Sequence, residues 1–262
     1  MSAKHYFLGI DIGSTTSKCV IVDDKNNIVG KSLKTGGAGT KSPEEVVQES
    51  LNQAQLSSKD VEISCATGYG RKLINWTDYE LSELSCHAIG GKYLFPGVRT
   101  IIDIGGQDAK VLKLDEHGSM TKFIMNDKCA AGTGRFLDMM ANAFGGKSSD
   151  LSSYDEKSES IAQISSTCSV FAESEVISKL ASGESLPNIV AGVHESVVDR
   201  TVSLVKRAGI VEPVAMTGGV TLNTSLVKRL EKRLDVTIHT SPIAQYNGAL
   251  GAALYAKSKF EE

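Results

Sequence analysis

The chain has 262 residues, 41% of them hydrophobic and 23% charged, with a formal net charge of −3. That balance suits a water-soluble globular protein with apolar material for two cores, and it argues against nucleic acid as the main partner. No apolar run approaches the roughly 20 residues that span a bilayer. The first residues pass straight into a strand pattern without a secretory leader, so a cytoplasmic protein with no membrane partner is expected.

Residues 6–13 read as a buried strand carrying Asp11 and ending in Gly13. A polar turn follows at 14–18, then strands at 19–22 and 28–33, which makes a β-meander. The G-x-x-x-x-G-K spacing of a P-loop is absent. The hydroxyls and successive N–H groups of Ser14, Thr15, Thr16 and Ser17 can still cradle phosphate, with Lys18 as a point charge. Asp11, at the strand end, is placed to hold hydrated magnesium. Taken alone, that stretch reads equally well as a plain polar hairpin turn. Ser42 is expected to cap a helix with Pro43 at its first position. A strand at 61–66 and a glycine turn at 67–71 follow. Residues 79–93 read as one helix, with His87 a packing or capping histidine.

Residues 100–108 repeat the opening theme: an apolar strand carries Asp103 and ends in Gly105 and Gly106. Strands at 111–114 and 120–125 complete a second meander. This weak duplication suggests two similar lobes, 1–97 with the C-terminal helix 243–262 packed back on it, and 98–242. Asp103 and Gln107 are candidates for orienting a water at a γ-phosphate. Further on come a polar loop or short helix at 147–160, a long helix at 189–205 and a strand at 213–217 that ends in Gly218-Gly219. Those glycines let backbone approach a nucleoside without Cβ obstruction. A helix at 222–234, a short strand at 236–239 and a last helix opening after Pro242 complete the chain. Lys228, Arg229, Lys232 and Arg233 read as a solvated helix face.

The five cysteines are scattered and odd in number, which does not suit a disulfide framework. Cys19, Cys65 and Cys86 sit among apolar or small residues and read as buried small hydrophobes. Cys129 and Cys168 differ. Cys129 precedes Ala130-Ala131-Gly132, and Leu137, Met139, Met140 and Phe144 follow at roughly helical spacing. Ser165-Ser166-Thr167 precede Cys168, and Val170, Phe171, Ile177 and Leu180 form a helical run after it. A helix start offers unpaired N–H groups and a partial positive charge, both of which stabilise a thiolate.

Gly9-x-Asp11-x-Gly13-Ser14-Thr15, Asp103-x-Gly105-Gly106-Gln107 and Thr217-Gly218-Gly219-Val220 resemble the two phosphate motifs and the adenosine motif of the superfamily of acetate kinase, sugar kinases, actin and heat-shock chaperones. The resemblance implies an α/β, duplicated actin-like (ribonuclease H-like) ATPase fold with two lobes around a nucleotide cleft. Asn126-Asp127-Lys128-Cys129-Ala130-Ala131-Gly132-Thr133-Gly134-Arg135-Phe136, Ser166-Thr167-Cys168 and the closing Gln245-Tyr246-Asn247-Gly248-Ala249-Leu250-Gly251-Ala252 narrow the likeness. Over essentially its whole length the chain is similar to the ATP-dependent activators of 2-hydroxyacyl-CoA dehydratases, in the BadF/BadG/BcrA/BcrD ATPase family that also contains ATPase subunits of benzoyl-CoA reductases.

That resemblance implies a homodimer with one 4Fe-4S cluster in its interface, held by Cys129 and Cys168 of each subunit. It implies ATP/ADP and Mg2+ as ligands, and a reduced ferredoxin or flavodoxin as donor. ATP hydrolysis then drives one electron onto an iron-sulfur dehydratase that removes water from an (R)-2-hydroxyacyl-CoA. Asp11, Asp103 and Gln107 become the catalytic candidates. Gly13, Ser14, Thr15, Thr16, Ser17, Lys18, Gly105, Gly106, Gln107, Lys147, Gly218, Gly219, Val220 and Gln245 become the nucleotide contacts. Two other readings stay open: a small-molecule kinase of the same superfamily, and a zinc-binding structural dimer using the same two thiols.

Overall fold

The structure, a computed structural model, describes residues 4–126, 130–165 and 168–262. In chain order the elements are β1 (Tyr6–Ile12), β2 (Thr16–Asp23), β3 (Ile28–Thr35), α1 (Ser42–Ala54), β4 (Val61–Thr67), β5 (Tyr79–Glu80), α2 (Glu83–Leu94), β6 (Thr100–Ile104), β7 (Ala109–Leu114), β8 (Met120–Met125), α3 (Gly134–Ala143), α4 (Leu151–Asp155), α5 (Ser169–Ala181), α6 (Leu186–Ala208), β9 (Val214–Thr217), α7 (Thr224–Leu234), β10 (Ile238–His239) and α8 (Asn247–Glu261). They divide into two compact units. The first is Met1–Gly97 with Glu116–Met120 and Ile243–Glu262, and the second is Val98–Asp115 with Thr121–Pro242. Among the described residues no helix is long and apolar enough to cross a membrane.

Each unit is built on a five-stranded sheet, and the two sheets have the same strand order. In the first unit it is β3-β2-β1-β4-β5, with β1 antiparallel to β2 and parallel to β4. In the second it is β8-β7-β6-β9-β10, with β6 antiparallel to β7 and parallel to β9. The duplication expected from the sequence is therefore real. Alternation along β1 explains why the strand is buried on both faces: Phe7 packs with Leu250 and Ala253 of α8, while Leu8, Ile10 and Ile12 pack with Val46 and Leu51 of α1. Gly9 has to be glycine, since a Cβ there would lie 2.0 Å from the Ala249 carbonyl oxygen. In the second unit Ile102, Ile104 and Val111 of the sheet pack with Phe136, Met140, Val193, Val197 and Leu226.

Several elements differ from the sequence expectation. Residues 79–93 are not one helix, because Tyr79–Glu80 form a short parallel strand against β4 and α2 begins after Ser82. The Asp78 carboxylate accepts from Ser64 N at 2.8 Å and Ser64 Oγ at 2.7 Å, which ties this stretch to β4. The Ser82 hydroxyl accepts from Ser85 N at 3.2 Å and caps the helix. Lys41, not Ser42, is the N-cap of α1, and the Ser42 hydroxyl donates to the Thr35 carbonyl at 3.1 Å.

The basic cluster on α7 is no plain solvated face. Arg229 donates to both Asp155 oxygens, at 2.8 and 2.5 Å, and to Glu195 at 2.7 Å, while Arg233 pairs with Glu195 and Asp199. His194 Nδ1 lies 2.9 Å from Asp155, and Asn223 Nδ2 lies 2.8 Å from His194 Nε2. Burial would raise the Asp155 carboxyl, but the Arg229 guanidinium and the His194 ring hold it well below the usual carboxylate range.

Candidate functional site

In the first unit, β1 delivers Asp11 to the sheet's end, buried and paired in register with Lys18 of β2 and Thr67 of β4. Lys18 Nζ is 3.5 Å from Asp11 Oδ2. The carboxylate lies between two glycines. A Cβ on Gly68, whose φ is +85°, would sit 2.4 Å from Oδ1, and one on Gly248 would sit 3.0 Å from Oδ2. This recess, kept open by missing side chains, suits a hydrated divalent cation next to a phosphate oxygen. Beside it the β1–β2 turn closes with Gly13 N donating to Thr16 O at 3.0 Å. Ser14 is exposed, and Thr15, Thr16 and Lys18 are half-buried. Ser17 departs from its expected part: it is fully buried and its hydroxyl donates to Gly36 O at 3.0 Å, so it shapes the turn from within. Gln245, also in this unit, stands in the turn Ala244–Tyr246 just before α8.

The second unit repeats these register positions, with different side-chain bonds: the Thr67 hydroxyl donates to Leu81 O at 3.0 Å, whereas its counterpart turns to the aspartate. Asp103 is paired in register with Lys110 of β7 and Thr217 of β9. Thr217 Oγ1 donates to Asp103 Oδ1 at 2.6 Å. Lys110 Nζ lies 3.2 Å from Asp103 Oδ2 and 2.7 Å from Asp108 Oδ2, with its side chain 1% exposed. Gly218, φ +88°, follows Thr217 as Gly68 follows Thr67, and its Cβ would meet Ile104 O at 2.2 Å. Gly219 has open space around it and Val220 is buried. Gln107 is exposed on the β6–β7 turn, which closes by Gly105 N donating to Asp108 O at 2.9 Å. Lys147 is exposed at the start of the turn Ser148–Asp150.

That glycine turn also holds a helix. Gly134 N donates to Gly105 O at 2.9 Å, and Arg135 N donates to Gly106 O at 2.8 Å. The sequence reading left the N–H groups of this helix start for a thiolate; the first two are bonded to the turn instead. Thr133 fixes the approach, its hydroxyl donating to Ala130 O at 2.6 Å.

Cys129 lies outside the described residues, as do Ser166 and Thr167 next to Cys168. Cys168 is the N-cap residue of α5, with φ −143° and a partly exposed side chain that makes no capping bond. The helical run expected after it divides: Ala172 and Val176 are buried, whereas Val170, Phe171 and Ile177 are 62%, 65% and 52% exposed. The remaining cysteines are buried as expected. Burial pushes the Cys19 and Cys65 thiols up to about 12, and Cys86 also upward, so all three stay protonated and inert. Among the described residues no three His, Cys, Asp or Glu side chains gather as a metal-holding group. The partly exposed Cys168 thiol at the helix cap is of the soft kind that can ligate a thiophilic metal group.

The sequence reading missed Lys110 as a site residue. The signal was present: Asp-Ile-Gly is followed by Lys at the same distance in both repeats, at Lys18 and at Lys110.

Residues 8–256 match the BadF/BadG/BcrA/BcrD ATPase family. The (R)-2-hydroxyglutaryl-CoA dehydratase activating ATPase of Acidaminococcus fermentans is 54% identical over 255 residues, 97% of this chain and 98% of that protein. The solved activator of the 2-hydroxyisocaproyl-CoA dehydratase from Clostridium difficile, with bound ADPNP, superposes with a TM-score of 0.95 at 48% identity, covering 98% of this chain and 96% of that one. A ROK family glucokinase from Streptomyces griseus, in complex with glucose and AMPPNP, gives a TM-score of 0.57 at 13% identity over 97% of this chain and 99% of that one, and shares the fold alone. With the family matched over nearly its whole length and a relative more than half identical to it, this chain belongs to the BadF/BadG/BcrA/BcrD ATPase family.

Proposed function

We propose that this protein hydrolyses ATP to drive single electrons onto a 2-hydroxyacyl-CoA dehydratase, working as a homodimer. The observation that carries the reading is the pair of hydrogen bonds from Gly134 and Arg135 to the carbonyls of Gly105 and Gly106. That turn serves phosphate in this reading, and its carbonyls hold the helix that starts just after the Cys129 segment. A turn that shifts when the γ-phosphate leaves pulls on α3 directly.

In the first unit Asp11 takes magnesium, and the turn from Gly13 through Ser14, Thr15 and Thr16 takes phosphate with Lys18. In the second unit Gly105, Gly106 and Gln107 take phosphate, and Asp103, fixed by Lys110 and Thr217, positions Gln107's turn for the attacking water. Gly218, Gly219 and Val220 accept the nucleoside, with Gln245 and Lys147 as further contacts. Cys129 and Cys168 from two copies supply the four thiolates that a 4Fe-4S group takes. When bound, that group supplies a one-electron carrier that a ferredoxin or flavodoxin can charge. The exposed strip Val170, Phe171 and Ile177 beside Cys168 supports burial against the second copy.

The test is purification without oxygen, followed by an activation assay. The expected protein is a brown dimer whose visible absorption fades in air and which activates a purified dehydratase only with ATP and a reductant. A colourless protein that releases ADP in response to a sugar or an acid would overturn the reading in favour of a kinase.

A further inference from the structure

His87 sits at the closest crossing in the first unit, where α2 meets α8. That crossing depends on missing side chains: a Cβ on Gly251 would lie 1.9 Å from Cys86 O, and one on Gly90 would lie 2.3 Å from Asn247 O. The close approach puts Asn247, at 0% exposure, against His87. Asn247 Nδ2 lies 3.1 Å from the His87 carbonyl oxygen and 3.2 Å from His87 Nδ1. A carbonyl oxygen only accepts, so the amide nitrogen faces it and donates. The same nitrogen therefore donates to Nδ1, which leaves the ring proton on Nε2. The cost of this arrangement is visible in Asn247 Oδ1, which is buried without a hydrogen-bond partner. Turning the amide over would set that oxygen against the His87 carbonyl.

Nε2 borders the recess. The position a Gly248 Cβ would take is 3.3 Å from His87 Nε2 and 3.0 Å from Asp11 Oδ2, so imidazole and carboxylate face the same small space. The charged groups around it are Asp11, Lys18 at 3.5 Å from Asp11, and Glu83, whose carboxylate one turn earlier on α2 also faces Nε2 at 3.6 Å. We propose that His87 is a positioning residue for ATP hydrolysis: its Nε2–H donates to an oxygen ligand held by Asp11 above Gly248 and fixes that ligand's orientation. The inference rests on the ATPase reading and extends it to a residue that composition and spacing cast only as packing.

Two substitutions separate this role from packing. His87→Gln keeps a donor where Nε2 stood and gives up the Nδ1 acceptor. His87→Asn keeps an acceptor facing Asn247 and gives up the donor. The expected result is that His87→Asn lowers kcat about 10- to 100-fold, as loss of an outer-sphere partner does, while His87→Gln retains most of the turnover. Affinity for a fluorescent ATP analogue, read by titration, stays within a few-fold of wild type in both. The reverse order of kcat, or equal kcat in the two variants, overturns the proposal and leaves His87 a scaffold for Asn247. Absence of ATP turnover in the wild type would instead sink the underlying ATPase reading.

Discussion

Lys110→Met removes a cation that is 1% exposed and leaves behind a carboxylate, Asp103, that is 2% exposed. Breaking a buried pair from one side costs roughly 3–5 kcal/mol, because the remaining charge keeps its desolvation penalty without its partner. Asp108, whose side chain is 34% exposed, can turn to water and contributes little to that loss. The Thr217 hydroxyl still donates to Asp103 and offsets part of it. A net loss of about 3 kcal/mol follows, at the lower end of the range. Equilibrium urea denaturation reads it as a lower midpoint at unchanged slope, and calorimetry reads it as a fall of roughly 6–12 °C for a domain of this size. The partner test is a cycle with Asp103→Asn: the double variant should recover more than half of the Lys110→Met loss, since no buried charge then lacks a counter-charge. A loss below about 1 kcal/mol, with no coupling in the cycle, would show that solvent already screens this pair, and the argument from burial would fail.

Asp155→Asn changes the acid response. The Asp155 carboxyl is held below the usual range in the fold, so its stabilisation is complete above the unfolded value, near 4, and drains away as pH falls through the lower folded value. The variant should be about 1.5–3 kcal/mol less stable at neutral pH, the worth of hydrogen bonds to charged groups, and the gap to wild type should close on acidification; a gap constant with pH in denaturation curves refutes the assignment. Cys168→Ala should abolish the visible absorption of the anaerobically purified protein while fluorescent ATP-analogue binding persists. A fully coloured variant would mean the ligand lies elsewhere. Asp11→Asn should leave the colour intact and cut ATP turnover at least about 100-fold, and turnover equal to wild type would remove Asp11 from the site.

The two meanders and both Asp-Gly turns were legible because each is local: an apolar run, an Asp at its end, then glycine; the strand order was not, since it rests on the distant pairings of β1 with β4 and β6 with β9. The split of residues 79–93 was hidden, since Tyr79 and Glu80 join β4 through long-range pairing that helical spacing does not report. The roles of Ser17 and His87 were hidden for a similar reason. Whether a hydroxyl faces phosphate or Gly36, and whether an imidazole faces solvent or the Asp11 recess, is decided by neighbours distant in sequence. The exposed apolar residues of α5 show the limit of periodicity: Val170, Phe171 and Ile177 follow the pattern of a buried face, yet within one chain Ala172 and Val176 do the packing.

The residue-level repeat shows which part of the chain is additional. Asp11, Lys18, Thr67 and Gly68 correspond to Asp103, Lys110, Thr217 and Gly218, so the two sheets present the same polar trio followed by glycine. Between the third and fourth strands the first unit has α1 before β4, whereas the second has α3, α4, α5 and α6 before β9. Both Cys129 and Cys168 fall in that longer stretch. Its start, α3, hangs from the carbonyls of Gly105 and Gly106, and its longest helix, α6, is joined to α4 and α7 through His194, Asp155 and Arg229. The second unit has thus been extended at one place, and the extension is bonded to the Gly105–Gly106 turn. Under the proposed reading this placement is what couples hydrolysis to the thiols. Attached to an edge strand instead, the stretch would have no bond to the Gly105–Gly106 turn and would receive no displacement from it.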